Sequence, residues 1–167
     1  MNELAITVIG PDRPGIVADV SEALAGVGAN LSDSTMTRLR GHFAMTLICT
    51  GPAAEDVEKA LVPLKGVLTT VRAVAPEADA DVAGEPYLVS VHGADRLGIV
   101  AAVTRVVAAA GGNITDLTTR LTGPLYVLIA EVDVPPSAVD DLAAQLGVVA
   151  QELSVEVTLR RAESDVL

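Results

Sequence analysis

The residues best suited to chemistry in this chain come twice. Gly10, Asp12, Arg13, Pro14 and Gly15 stand in the phrase GPDRPGIV, and Gly93, Asp95, Arg96, Leu97 and Gly98 stand in GADRLGIV. Each phrase follows a short apolar run and precedes an apolar stripe of helical spacing, so each occupies a strand-to-helix turn. Such turns serve three chemistries: cradling a phosphate, acid–base or nucleophilic catalysis, and recognition of a small anion.

The first two fit poorly. These phrases lack the Lys and Ser/Thr of a P-loop and the G-x-G-x-x-G spacing of a dinucleotide fingerprint. Catalysis calls for a nucleophile and base, or paired carboxylates. The two histidines, His42 and His92, fall at a hairpin turn and near a strand end, and their counterparts in the other copy are Pro124 and Ile9. Asp12 and Asp95 are kept in both copies, but as lone carboxylates at a helix entrance, where N-capping is an equal reading. An enzyme is not expected, nor is any cofactor or metal.

Anion recognition fits better. A helix N-terminus offers unpaired backbone N–H groups and a partial positive charge, and a glycine admits a ligand closely. Arg13 or Arg96 adds a bidentate grip for a carboxylate. Asn30 and Asn113 follow helix-ending glycines, and an amide both donates and accepts, which suits the two ends of an amino acid. Turn formation is the competing role for the asparagines.

The elements that must carry these residues are themselves duplicated. An offset of 83 places Asp12, Arg13, Gly15, Ile16, Val17 and Ala18 on Asp95, Arg96, Gly98, Ile99, Val100 and Ala101. Gly28, Asn30, Asp33 and Thr35 fall on Gly111, Asn113, Asp116 and Thr118. Beyond these, the identities resume one position earlier: Arg38, Leu39 and Gly41 align with Arg120, Leu121 and Gly123. That slip predicts one residue fewer in the second copy, with a changed register or a bulge.

LAITVIG and YLVSVHG read as first strands. Ile16, Val20, Leu24 and Val27 then mark a helix that Gly28 stops, and Pro14 suits its first turn. Ile99, Val103, Val107 and Ala110 repeat the stripe up to Gly111. Two strands around Gly41, and two around Gly123, form hairpins. A second helix and a last strand complete each copy. The predicted fold class is α+β, with two tandem ferredoxin-like βαββαβ domains, each an antiparallel four-stranded sheet with two helices on one face. The domains span residues 1–75 and 87–162, joined by a linker at 76–86 whose PEADADVAGEP has no apolar period.

Composition narrows the partners. A net charge of −11 argues against direct binding to nucleic acid, which needs Lys and Arg, and against anionic lipid. Only Phe43, Tyr87 and Tyr126 are aromatic, so the core rests on Val, Leu, Ile and Ala. The single cysteine, Cys49, lies in the apolar run FAMTLIC and reads as a buried strand thiol. No apolar stretch approaches the roughly 20 residues of a membrane helix. A soluble, cytoplasmic protein is expected.

GPDRPGIV…GANLSD and GADRLGIV…GGNITD, set in two βαββαβ repeats, resemble ACT domains, the small regulatory modules of amino-acid metabolism. The tandem arrangement without a catalytic domain is similar to the glycine cleavage system transcriptional repressor group. The resemblance implies binding of a small amino acid, glycine or serine, at an interface between paired modules, and transmission of that state to a protein partner such as a transcription factor or metabolic enzyme. It implies ligand contacts from Asp12, Arg13, Pro14, Gly15 and Asn30, and from Asp95, Arg96, Leu97, Gly98 and Asn113. It also implies a homo-oligomer, with sheets joined edge to edge. The alternative is an interaction module of the same fold that binds no ligand. Leu97 replaces the proline of the first copy, so the two loops need not bind equally.

Overall fold

The structure is a computed structural model, which describes residues 3–78 and 84–163. Alternation of apolar side chains fixes its organisation. In β1 (Glu3–Pro11), Leu4, Ile6 and Val8 point to one side and are buried. In β3 (His42–Thr50), Phe43, Met45, Leu47 and Cys49 do the same. Period-2 burial of this kind requires a cover on one face only. That cover comes from α1 (Ile16–Gly26), through Ile16, Val20 and Leu24, and from α2 (Ala54–Leu61), through Val57 and Leu61.

The sheet of this unit is completed by β2 (Asn30–Leu39) and β4 (Leu68–Val74), in the antiparallel order β2-β3-β1-β4. The second unit repeats it with β5 (Glu85–Ala94), α3 (Ile99–Ala109), β6 (Asn113–Thr122), β7 (Leu125–Val134), α4 (Val139–Leu153) and β8 (Glu156–Arg161), in the order β6-β7-β5-β8. A short 3-10 turn, Pro136–Ala138, precedes α4. The chain divides into two units, Met1–Asp79 and Ala80–Leu167, each with its own core. This is the βαββαβ fold expected from the sequence, twice over.

Both first helices end as their glycines require. Gly28 (φ 76°) and Gly111 (φ 72°) turn the chain, and the N–H groups of Ala29 and Gly112 donate back to the carbonyls of Leu24 and Val107. Those bonds satisfy carbonyls that the helix end would otherwise leave open.

Three details depart from the sequence reading. First, the two hairpins are equal in length. Thr35 faces Thr46 and Leu39 faces His42 in one, while Thr118 faces Ile129 and Thr122 faces Leu125 in the other, all at the constant offset of 83. What shifts is the turn glycine, from second place in Arg40-Gly41 to first place in Gly123-Pro124. Arg40 and Gly41 both have positive φ, whereas in the second turn Gly123 does. The identities past Thr35 follow that moved glycine and not the backbone. The extra residues of the second copy lie later: Ile9 pairs with Leu68 but His92 pairs with Glu156, so the offset has grown to 88 beyond the longer α4.

Second, a bulge occurs, but in both copies at the same place. Ser32 and Thr115 are the extra residues, and each hydroxyl donates to a carbonyl across the ladder, of Ile48 and Glu131 respectively, at 3.3 Å. Third, Pro14 lies before the helix: Gly15 is the N-cap and Ile16 the first helical residue. Glu85 and Pro86, expected in the linker, begin β5. Linker residues 79–83 lie outside the described residues.

Leu24 is fully buried between α1 and the sheet. Leu24→Ala is expected to lower unfolding free energy by about 2–5 kcal/mol, read from the denaturant midpoint. Burial also pushes the Cys49 thiol above its ordinary pKa. A thiol reagent at neutral pH should therefore leave the native protein unlabelled and modify Cys49 fully once denaturant unfolds it.

Candidate functional site

Each repeated phrase forms the crossing from the first strand to the first helix. Gly10 must lack a side chain because a Cβ there would stand 2.6 Å from the Gly66 carbonyl oxygen. Gly93 is crowded similarly, its Cβ position lying 3.0 Å from Val155. The second glycine serves a different need. Gly15 (φ 83°) and Gly98 (φ 89°) take the left-handed conformation that turns the chain into the helix; a Cβ at Gly98 would meet open space, and one at Gly15 would meet only Arg13 Nη1, at 4.0 Å. Two glycines five residues apart thus meet one packing constraint and one backbone constraint.

Asp12, Arg13, Pro14 and Gly15 come together, as expected, around an open depression of about 450 Å³. Ile16, Val17 and Ala18 form its helical wall, and Met36 and Arg38 reach it from β2. The N–H groups of Val17 and Ala18, in the first turn of α1, have no carbonyl four residues back within the helix. Asp12 does not cap them. Its backbone N–H donates to the Gly41 carbonyl at 2.9 Å, and its carboxylate lies 3.5 Å from the Arg38 guanidinium. Arg13 donates to the Asp19 carboxylate at 2.6 Å. Both charges of the first loop are therefore engaged within the loop and its walls.

The second depression, also about 450 Å³, gathers Asp95, Arg96, Leu97 and Gly98 with Ile99, Val100, Ala101 and Tyr126. The difference lies in what surrounds the charges. Ala102 stands where Asp19 does, and Leu121, which faces Tyr126, stands where Arg38 faces Phe43. Among the described residues no ion pair reaches Asp95 or Arg96. Leu97 is 100% exposed and contributes no packing.

Asn30 and Asn113 are not brought to these depressions. Asn30 pairs with Thr50 and Asn113 with Asp133, at the ends of the sheets away from Pro11 and Ala94. Within one unit, roughly eight strand residues, on the order of 26 Å, separate each asparagine from its loop. The sequence reading passed over Asp19, Met36, Arg38 and Tyr126. Asp19 was visible as the acid in the first helical turn after Arg13; Arg38 was hidden by its false match to Arg120.

Among the described residues, no three His, Cys, Asp or Glu side chains are placed to hold a metal, and no helix is long and apolar enough to cross a membrane. His92 pairs with Glu156 on the exposed side of its sheet.

Comparison with known proteins agrees with this fold. The ACT domain model matches residues 2–82 and 85–160. The chain belongs to the ACT domain family. The glycine cleavage system transcriptional repressor of Escherichia coli K12 is 28% identical over 138 residues, covering 71% of this chain and 73% of that protein. A UPF0237 protein of Methanopyrus kandleri is 41% identical over 68 residues, covering 36% of this chain and 76% of its own. Among solved structures, an unknown protein from Galdieria sulphuraria superposes with a TM-score of 0.83 at 30% identity, covering 97% of this chain and 99% of the other. A structure described as a candidate glycine cleavage system transcriptional repressor has a TM-score of 0.71 at 20% identity over 98% of each chain, a likeness of fold. This tandem ACT protein is thus related over most of its length to a glycine cleavage system transcriptional repressor.

Gly15→Ala and Gly98→Ala meet no steric clash, so their cost is the left-handed backbone alone. Each should destabilise its unit by about 1–2 kcal/mol, lowering the melting temperature without changing the circular dichroism of the native state.

Proposed function

We propose that the chain is a non-catalytic regulator of amino-acid metabolism. Its ACT units bind a small amino acid, glycine or serine in type, and signal occupancy to a protein partner in the cytoplasm. The observation that carries this reading is the second loop. Arg96, which has no ion pair among the described residues, lines one depression with the left-handed Gly98 and the first turn of α3. A carboxylate set there would accept from the guanidinium and from first-turn N–H groups, and the helix dipole would favour its charge. The ammonium end would meet Asp95. The shortage of basic residues favours action through a protein over contact with nucleic acid.

The first loop favours a different role. Arg13 is held by Asp19, and Asp12 by Arg38, so its charges brace the helix entrance. In this unit the phrase serves structure, as the interaction-module alternative has it. Asn30 and Asn113, set at the far sheet ends, lie outside this loop-centred reading.

A thermal-shift screen of the full chain against the amino acids tests this. At a hundredfold excess over Kd, a ligand of the native state adds about 2.7 kcal/mol, a shift of several degrees. Glycine or serine should shift the native chain. Arg96→Ala should abolish most of that shift, while Arg13→Ala should keep it. A flat screen would leave the ligand-free module; equal loss in both variants would place the two loops on a par.

A further inference from the structure

Each sheet has one face without helices, and the two open faces differ sharply in charge. Registers across the first sheet give its rows. Asp33, Ile48, Ala5 and Arg72 form one row; Thr35, Thr46, Thr7 and Thr70 form the next; Thr37, Ala44, Ile9 and Leu68 form the third. Leu39 and His42 continue the face towards the hairpin turn. Ile9, Leu39 and Leu68 are exposed, Leu68 by 70%. Between the charged first row and the turn the face carries no carboxylate, lysine or arginine, in a chain of net charge −11. The equivalent face of the second unit holds Asp116, Glu131 and Arg160 in one row, and Arg120 and Glu156 in another.

We propose that the open face of the first sheet is a docking surface for a second copy of the same chain. Charge complementarity favours this occupant. Asp33 on β2 and Arg72 on β4 occupy the two edges of one row. Three strand spacings, about 14 Å, separate them, too far to pair within the sheet. A two-fold axis parallel to the strands, running between β3 and β1, exchanges the edges and preserves the rows. It sets Asp33 opposite Arg72 of the second copy, and Arg72 opposite Asp33 of the second copy. The same operation lays threonine row on threonine row. It sets Ala44 against Ile9 and Leu68 against Thr37. No like charges meet. An interface closed by its own symmetry in this way is isologous and stops at two copies.

Stacked sheets at about 10 Å tolerate such a pairing with their strands nearly aligned. Four strands and some eight residues of length present on the order of 500 Å² per copy. The total of roughly 1,000 Å² sits at the lower bound for a specific contact. The dimer is therefore reversible and concentration-dependent. It uses neither the loops nor the strand edges, so it is independent of whether a ligand binds.

The test is sedimentation of the full chain over a wide concentration range, with circular dichroism as a control for folding. The native chain should dimerise. Asp33→Arg alone and Arg72→Asp alone each set like charges opposite one another, and should weaken dimerisation at least about tenfold. Leu68→Asp, at an exposed position, should weaken it similarly. Mixing the two single charge variants should restore dimers between unlike chains, and the double variant Asp33→Arg/Arg72→Asp should dimerise as the native chain does. A native chain that stays monomeric overturns the proposal. So does a dimer indifferent to all these changes, which would point to pairing by strand edges. Failure of the mixture and of the double variant to recover overturns it as well.

Discussion

The structure depends on a single geometric constraint: a strand sends successive side chains to opposite sides, and each unit has helices on one side only. Leu4, Ile6 and Val8 therefore commit β1 to facing α1 and α2, and every other placement follows. The chain must leave β1 at Pro11 and double back over the covered face. Gly15, in the left-handed conformation, makes that turn. The free N–H groups of α1 then lie at the sheet end where the β2–β3 turn also arrives, so that Arg38 and Gly41 meet Asp12 there. One-sided cover creates both the loop depression and the bare sheet face behind it.

Much of this was legible in the sequence because it is written in local patterns. Burial at Ile16, Val20 and Leu24 follows directly from helical spacing, and the stop at Gly28 follows from its freedom at positive φ. The tandem βαββαβ order needed little more than the alternation of such stripes with β-branched runs. Turn chemistry was the weak point. A glycine can occupy either place of a two-residue hairpin turn, given a partner that suits the other place. Arg40-Gly41 and Gly123-Pro124 use the two options, and identity matching followed the glycine across by one residue. In a strand one residue is a change of face. Arg38 thus turns towards the helix entrance opposite Phe43, while Arg120, its apparent match, turns to the open face opposite Val127.

The site was legible to the extent that it is contiguous in sequence. Asp12 to Gly15 and Asp95 to Gly98 each form one loop and share one depression. Asn30 and Asn113 were joined to them by repetition, but repetition marks any need that both copies share. Here the shared need is a helix stop followed by a strand start, at the opposite end of the sheet. The partners of the charges, Asp19 and Arg38, lie on neighbouring elements and are fixed only by packing.

Those partners are what divide the two copies. Exposed ion pairs such as Arg13–Asp19 contribute about 1 kcal/mol or less, so breaking one would by itself cost a ligand at most roughly fivefold in affinity. The larger effect is what remains afterwards. A carboxylate that displaced Asp19 from Arg13 would still have the Asp19 carboxylate beside it, and like charges at such range repel in addition to the lost pair. The second loop imposes neither term. With Ala102 in place of Asp19 and Leu121 in place of Arg38, neither Arg96 nor Asp95 has an ion-pair partner among the described residues. Two differences outside the repeated phrase, Asp19 against Ala102 and Arg38 against Leu121, thus leave the charges of the first loop paired and those of the second without an ion pair among the described residues.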